Sequence, residues 1–208
     1  MRRIALLCIV LAACFFSLKA QGEGETPRRE SRFTFGRIFY DSPMSVRFPG
    51  MVGDGNGPPW SHDWPRSEEH FMKIMAEVTK VDVNPGGHII SFQNDECFKY
   101  PIAYLCEPGY MELSEEEARR MAEYLMRGGF LIVDDFRGER ELAHFRREMH
   151  KVFPGRELFE IPRTHPIWTC FYDISSLSIA PPYSSFLSPR YLGMNDDKGR
   201  LMMVVDYN

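Results

Sequence analysis

Two adjacent carboxylates close a short apolar run, where Phe130-Leu131-Ile132-Val133 leads straight into Asp134 and Asp135. Carboxylates at the end of a buried strand can bind a cation, carry protons or hold a ligand's hydroxyl groups. Successive strand residues face opposite sides, so only one of the pair is expected to face a given pocket. A structural alternative stays open, in which one aspartate caps the helix that follows and the other binds loop amides. His165, in Thr164-His165-Pro166-Ile167, could be a base, a ligand or a hydrogen-bonded structural residue, and beside Asp135 it could activate water. Asp41 and Glu107 also end strand-like runs. Trp60, His62, Asp63 and Trp64 crowd the end of a long loop, where flat rings and carboxylates suit a sugar-like ligand. The two tryptophans could equally anchor that loop to the sheet edge.

The elements that must position these residues follow from periodicity. Aromatic and β-branched residues at 33–40 predict a strand that ends at Asp41. Residues 42–65 show no periodicity and are broken by glycine and proline, which predicts a long loop of the kind used for binding or as a lid. A helix beginning near Ser67 places Phe71, Ile74, Met75 and Val78 on one face, expected to meet a core. Residues 88–92 and 100–106 predict two strands, the second apolar enough to be buried on both faces. Ser114 and Glu117 form a capping box. The helix they open carries Ala118, Met121, Ala122 and Leu125 and stops at Gly128-Gly129. The strand 130–133 follows, and then a helix over 139–152 with Leu142, Phe145, Met149 and Val152 aligned. His144 and His150 fall off that face and are expected in solvent. Strands alternating with amphipathic helices predict an α/β fold, a three-layer, doubly wound and mostly parallel sheet. The C-terminal third is irregular and proline-rich. There the runs at 191–193 and 201–205 flank Asp196-Asp197-Lys198-Gly199 and predict a hairpin or sheet-edge addition.

Several stretches taken together resemble one known family: Asp63-Trp64-Pro65, Tyr100-Pro101, Glu107-Pro108-Gly109-Tyr110, Leu113-Ser114-Glu115-Glu116-Glu117, Gly128 to Phe136, Val152-Phe153-Pro154, His165-Pro166-Ile167 and Asp197-Lys198-Gly199-Arg200-Leu201. In that order they resemble the bacterial family catalogued as domain of unknown function 4159, over nearly all of residues 33–208. The resemblance implies a flavodoxin-like sandwich related to the class I glutamine amidotransferases and trehalose-utilisation-type proteins, with no agreed activity. Amidotransferase relatives carry a nucleophilic cysteine at a tight strand-to-helix turn. The comparable turn here, Val133-Asp134-Asp135-Phe136-Arg137-Gly138, holds neither cysteine nor serine, so a glutaminase reading fails at its nucleophile. Arg137 stands where the family leads one to expect an aromatic residue. The family's chain also runs past the last strand, which leaves open a domain truncated at its C-terminus.

The first twenty residues read as a cleavable signal peptide, with Arg2 and Arg3 before an apolar run and Ala20 at the cut. Residues 21–31 then form a disordered leader, and 32–208 a single α/β domain. Leu11-Ala12-Ala13-Cys14 also resembles a lipoprotein box, and membrane attachment is expected only through Cys14. The chain is accordingly expected to be exported, to the periplasm or beyond. Losing residues 1–20 removes three cations and no acid, moving the formal charge from -4 to -7. An acidic chain without a basic stripe excludes nucleic acid as the expected partner. Cys97, Cys106 and Cys170 remain, an odd number that requires at least one free thiol. No His-x-x-x-His, Cys-x-x-Cys or acidic calcium loop appears, so neither metal nor cofactor is expected.

Two functional expectations follow. The first is a non-catalytic binding module for a small polar, sugar-like ligand or an envelope protein, contacting it through Asp41, Trp60, Asp63, Trp64 and Glu107. The alternative is a hydrolase of the amidotransferase-like class with a cysteine-free site built on Asp134 or Asp135 and His165.

Overall fold

The fold was read from a computed structural model that describes residues 32–43, 57–174, 176 and 189–207. The expected signal peptide and leader, the lipoprotein cysteine and most of the long loop lie outside the described residues. Seven strands form one sheet: β1 (Gly36–Phe39), β2 (His88–Ser91), β3 (Ile102–Cys106), β4 (Phe130–Asp134), β5 (Phe159–Glu160), β6 (Arg190–Asn195) and β7 (Leu201–Tyr207). Their order is β2-β1-β3-β4-β7-β6-β5. The pairs from β2 through β4 to β7 are parallel, and β6 runs antiparallel to both β7 and β5. The fold is therefore α/β with a mostly parallel, mixed sheet. The C-terminal hairpin does not simply add to an edge. Its second strand pairs with β4, and β5 becomes the edge.

Among the described residues three helices accompany the sheet: α1 (Arg66–Val78), α2 (Glu115–Met126) and α3 (Gly138–Val152). The α2 start is fixed by the expected box, in which the Glu117 amide donates to Ser114 Oγ and the Ser114 amide to Glu117 Oε2 at 2.9 Å. Gly128 ends that helix region at φ 108°, a conformation costly for any residue with a Cβ. From α2 and α3, Met121, Leu125, Leu142, Phe145 and Met149 join Ile38, Leu105, Leu131, Val133, Met203 and Val205 in one buried core. Burying a side chain of this size stabilises by about 1.5–3 kcal/mol, so this face of the sheet dominates stability.

The opposite face differs from expectation. β3 alternates over most of its length, with Ala103 and Leu105 buried and Ile102 and Tyr104 half-buried, rather than being buried on both faces. The reason is coverage: α1 is tied to this face through Phe71 against Phe35 and through Glu68 to Arg37, both at the β1 side. The α1 face is also turned relative to its periodicity. Glu68 and Met72 are its buried residues, whereas Ile74 is 54% and Val78 43% exposed. His144 is half-buried rather than solvated, its Nε2 donating to the Met111 carbonyl at 2.6 Å. Cys97 and Cys106 are both free and buried, and Cys170 is free and exposed.

Candidate functional site

β1 lies between β2 and β3, so the chain builds outward from β1 in both directions, and the carboxyl ends of β1 and β3 flank the crevice such a reversal leaves. Two residues just past strand ends hold left-handed backbone there, Glu107 after β3 (φ 48°) and Asp135 after β4 (φ 61°). For a residue with a side chain this costs about 1–2 kcal/mol, and it persists only where surrounding contacts enforce it. They are visible. The buried Tyr40 hydroxyl is shared between the carbonyls of Cys106 (2.9 Å) and Glu107 (2.7 Å). The Glu107 amide donates to the Asp134 carbonyl at 3.1 Å, and the Asp135 amide to Asp134 Oδ1 at 2.7 Å. Gly109 lets this turn approach α3, since a Cβ there would meet the Glu141 side chain at 2.7 Å.

The third contributor comes from the loop before α1. Arg37, fully buried within β1, donates its Nε to Glu68 Oε1 at 2.6 Å. Its remaining nitrogens reach the carbonyls of Trp60 (3.1 Å) and His62 (3.0 Å) and Ser67 Oγ (2.7 Å). The guanidinium also lies 4.5 Å from the centre of the Tyr104 ring. A planar five-donor group thus clamps the loop to the sheet and fixes the backbone of His62. Asp63, next in the chain, is the third non-glycine residue with positive φ (58°) among those described.

These segments converge on one point. His62 Nδ1 meets Asp135 Oδ2 and lies 3.3 Å from Glu107 Oε1. It is shielded from solvent yet aligned with neither carboxylate for a hydrogen bond. The Cys106 thiol donates to Asp135 Oδ2 at 3.8 Å. A ring nitrogen of His62, Sγ of Cys106 and a carboxylate oxygen of Asp135 all lie within 4.8 Å of one another. Burial pushes the Glu107 carboxyl up to about 7; Asp135 and Glu141 add to the rise, and His62 and Arg137 oppose it. Burial likewise holds the Cys106 thiol far above its ordinary range.

The structure separates the two adjacent aspartates, as strand alternation requires. Asp134 accepts from the Tyr104 hydroxyl at 2.9 Å, and burial raises its carboxyl above the usual range. Asp135 alone joins His62. No hydrogen bond or ion pair among the described residues links His165 to either aspartate. His165 instead caps a short 3-10 turn (Pro166–Thr169), its Nδ1 accepting from the Ile167 amide at 3.1 Å. Of the loop residues, Trp60 packs edge-on against Phe39 at 5.3 Å. Asp63 is exposed and paired with Arg66, and Trp64 lies by Gly87 and precedes a cis proline. Asp41 is exposed at the end of β1 and accepts from Gln93 at 3.2 Å. Glu107 alone among the expected ligand contacts meets Asp135 and His62. The cluster members that sequence reasoning did not single out are His62 and Cys106. The only signal for His62 is its place in the polar, aromatic end of the loop, and Cys106 reads as strand interior.

A family model described as "Domain of unknown function (DUF4159)" matches residues 50–208, from the loop through the end of the described sheet. No curated protein matches the chain.

Proposed function

The chain belongs to the DUF4159 family, and from that premise we propose that its strand-end cluster is a hydrolytic site acting on a small polar substrate. The observation that carries this reading is the His62 ring nitrogen set between the carboxylates of Asp135 and Glu107 at two strained strand ends. Acid–base groups gathered at strained backbone in this way recur where proton transfer is the task. In the reaction, the oxygen of a water molecule bonds to the substrate's electrophilic carbon while the water's proton passes to the cluster. The bond to the leaving group then breaks with its electron pair on that group, and the cluster returns the proton there. Asp135 lies beside the imidazole and balances its charge, and Glu107 lies 3.3 Å from the same nitrogen. The histidine of this reading is His62, not His165.

The test is turnover of a panel of ester, amide and glycosidic substrates by the full chain, beside His62→Ala and Asp135→Asn. The expected result is hydrolysis of at least one class by the wild type, reduced about 10²-fold or more in each variant, with folding unchanged by circular dichroism. A wild type that gains thermal stability from a ligand in the panel yet turns over none would overturn hydrolysis in favour of a non-catalytic binding module.

A further inference from the structure

The same point in the fold gathers donors that acid–base work alone does not need. His62, Cys106 and Asp135 arrive from three separate segments and offer a nitrogen, a sulfur and an oxygen within 4.8 Å of one another. From this convergence we infer that the crevice is a binding site for a divalent transition-metal ion of the zinc class, with His62, Cys106 and Asp135 as ligands. The ion's role in activating water rests on the hydrolytic reading above; its coordination does not.

Donor chemistry selects the ion. A thiolate and an imidazole with one carboxylate suit Zn²⁺ and its near neighbours, whereas Ca²⁺ and Mg²⁺ take oxygen ligands. Distances fit as well. Tetrahedral bonds of about 2.0–2.3 Å set ligand atoms about 3.3–3.8 Å apart, so shifts of about 1 Å, opening the His62–Asp135 approach and closing the widest gap, would seat an ion. Two independent features support this. His62 Nδ1 is buried against two carboxylate oxygens without a hydrogen bond to either, an arrangement that a shared cation between nitrogen and oxygen would relieve. The backbone behind two of the donors is also held in place, by Arg37 on the His62 carbonyl and Tyr40 on the Cys106 carbonyl. Three protein ligands leave a fourth position, the pattern of catalytic rather than structural zinc. Glu107, 3.3 Å from His62 Nδ1 and 7% exposed, is the residue placed to carry a proton from water held there. No local motif announces such a site, because the ligands are 44 and 29 residues apart in the chain.

The experiment uses the full chain, dialysed against chelator and titrated with Co²⁺, which reports its own coordination. The expected result is a sulfur-to-cobalt charge-transfer band with intense tetrahedral visible bands, the former lost in Cys106→Ser. His62→Ala, at a partly exposed loop position, should weaken Co²⁺ affinity about tenfold or more. Because Cys106→Ser alters a buried position, its fold is checked by circular dichroism, and His62→Ala carries the test if that variant does not fold. No charge-transfer band in the wild type, a band that survives in folded Cys106→Ser, or unchanged affinity in His62→Ala overturns the site. Cobalt signature without turnover keeps the metal site and removes hydrolysis; turnover without cobalt signature does the reverse.

Discussion

Arg37 carries more of the site than any residue that touches it directly. A fully buried guanidinium is tolerable only when every face of it is matched, and here a carboxylate, two carbonyls, a hydroxyl and an aromatic ring do so. Both partners of its ion pair have side chains with 0% exposure. Removing one partner therefore leaves the other charged and desolvated. Arg37→Met is expected to lower stability by about 3–5 kcal/mol, read as a drop in the urea midpoint. The double variant Arg37→Met/Glu68→Leu should recover a large part of that loss. A single variant that costs less than the double would show that desolvation of Glu68 is not the cause.

At the scale of elements, the same ion pair explains why α1 disagrees with its own pattern. Periodicity groups Phe71, Ile74, Met75 and Val78, but the helix is rotated to bring Glu68 onto Arg37, and the residue one turn on, Met72, goes inward with it. A short-range hydrophobic pattern was outweighed by one long-range charge that had to be matched. Met72→Ala should accordingly cost about 2–5 kcal/mol, while Ile74→Ser should move stability by no more than about 0.5 kcal/mol. Chemical denaturation of the two variants side by side checks this, and equal losses would return α1 to its periodic face. The helices α2 and α3 raise no such conflict: the residues that align in sequence, from Met121 and Leu125 to Phe145 and Met149, are the ones in the core.

Across the whole molecule the sheet brings together two carboxylates from distant strands. The register Val133↔Val205 sets Asp134 beside Asp206, and burial, with Asp134 as second cause, pushes the Asp206 carboxyl up to about 6. Its Oδ1 is buried with no hydrogen-bond partner among the described residues. The sign of the linkage is set by that rise. Below the ordinary value of 3.8 both folded and unfolded chains hold the proton, and nothing is lost. Between about 4 and 6 the unfolded chain releases it first, so stability falls as pH rises, and above about 6 the full penalty is present. Discounted for partial solvent access, the penalty is about 1–2 kcal/mol. Asp206→Asn should therefore stabilise the protein by that amount at pH 7.5 and leave it unchanged at pH 3.5, as thermal unfolding at the two pH values would read. Stabilisation equal at both would sink the titration account.

What the sequence determined alone is what neighbours along the chain decide. The Ser114 and Glu117 box, the stop at Gly128, the strand runs and the core faces of α2 and α3 depend on residues within a turn or a strand of each other, and a one-dimensional pattern carries them. Alternation likewise told that Asp134 and Asp135 must part company. Only the tertiary structure decided which histidine Asp135 meets. His62 and Asp135 stand 73 residues apart, joined through a crossover sheet and a loop clamped by Arg37, and no local period encodes that meeting. His165 was the histidine that the sequence singled out, yet its ring nitrogen serves the backbone of its own turn. The order β2-β1-β3-β4 made the difference, because it sets the ends of β3 and β4 side by side near β1 and fixes their residues in strained conformations that no short segment would hold by itself.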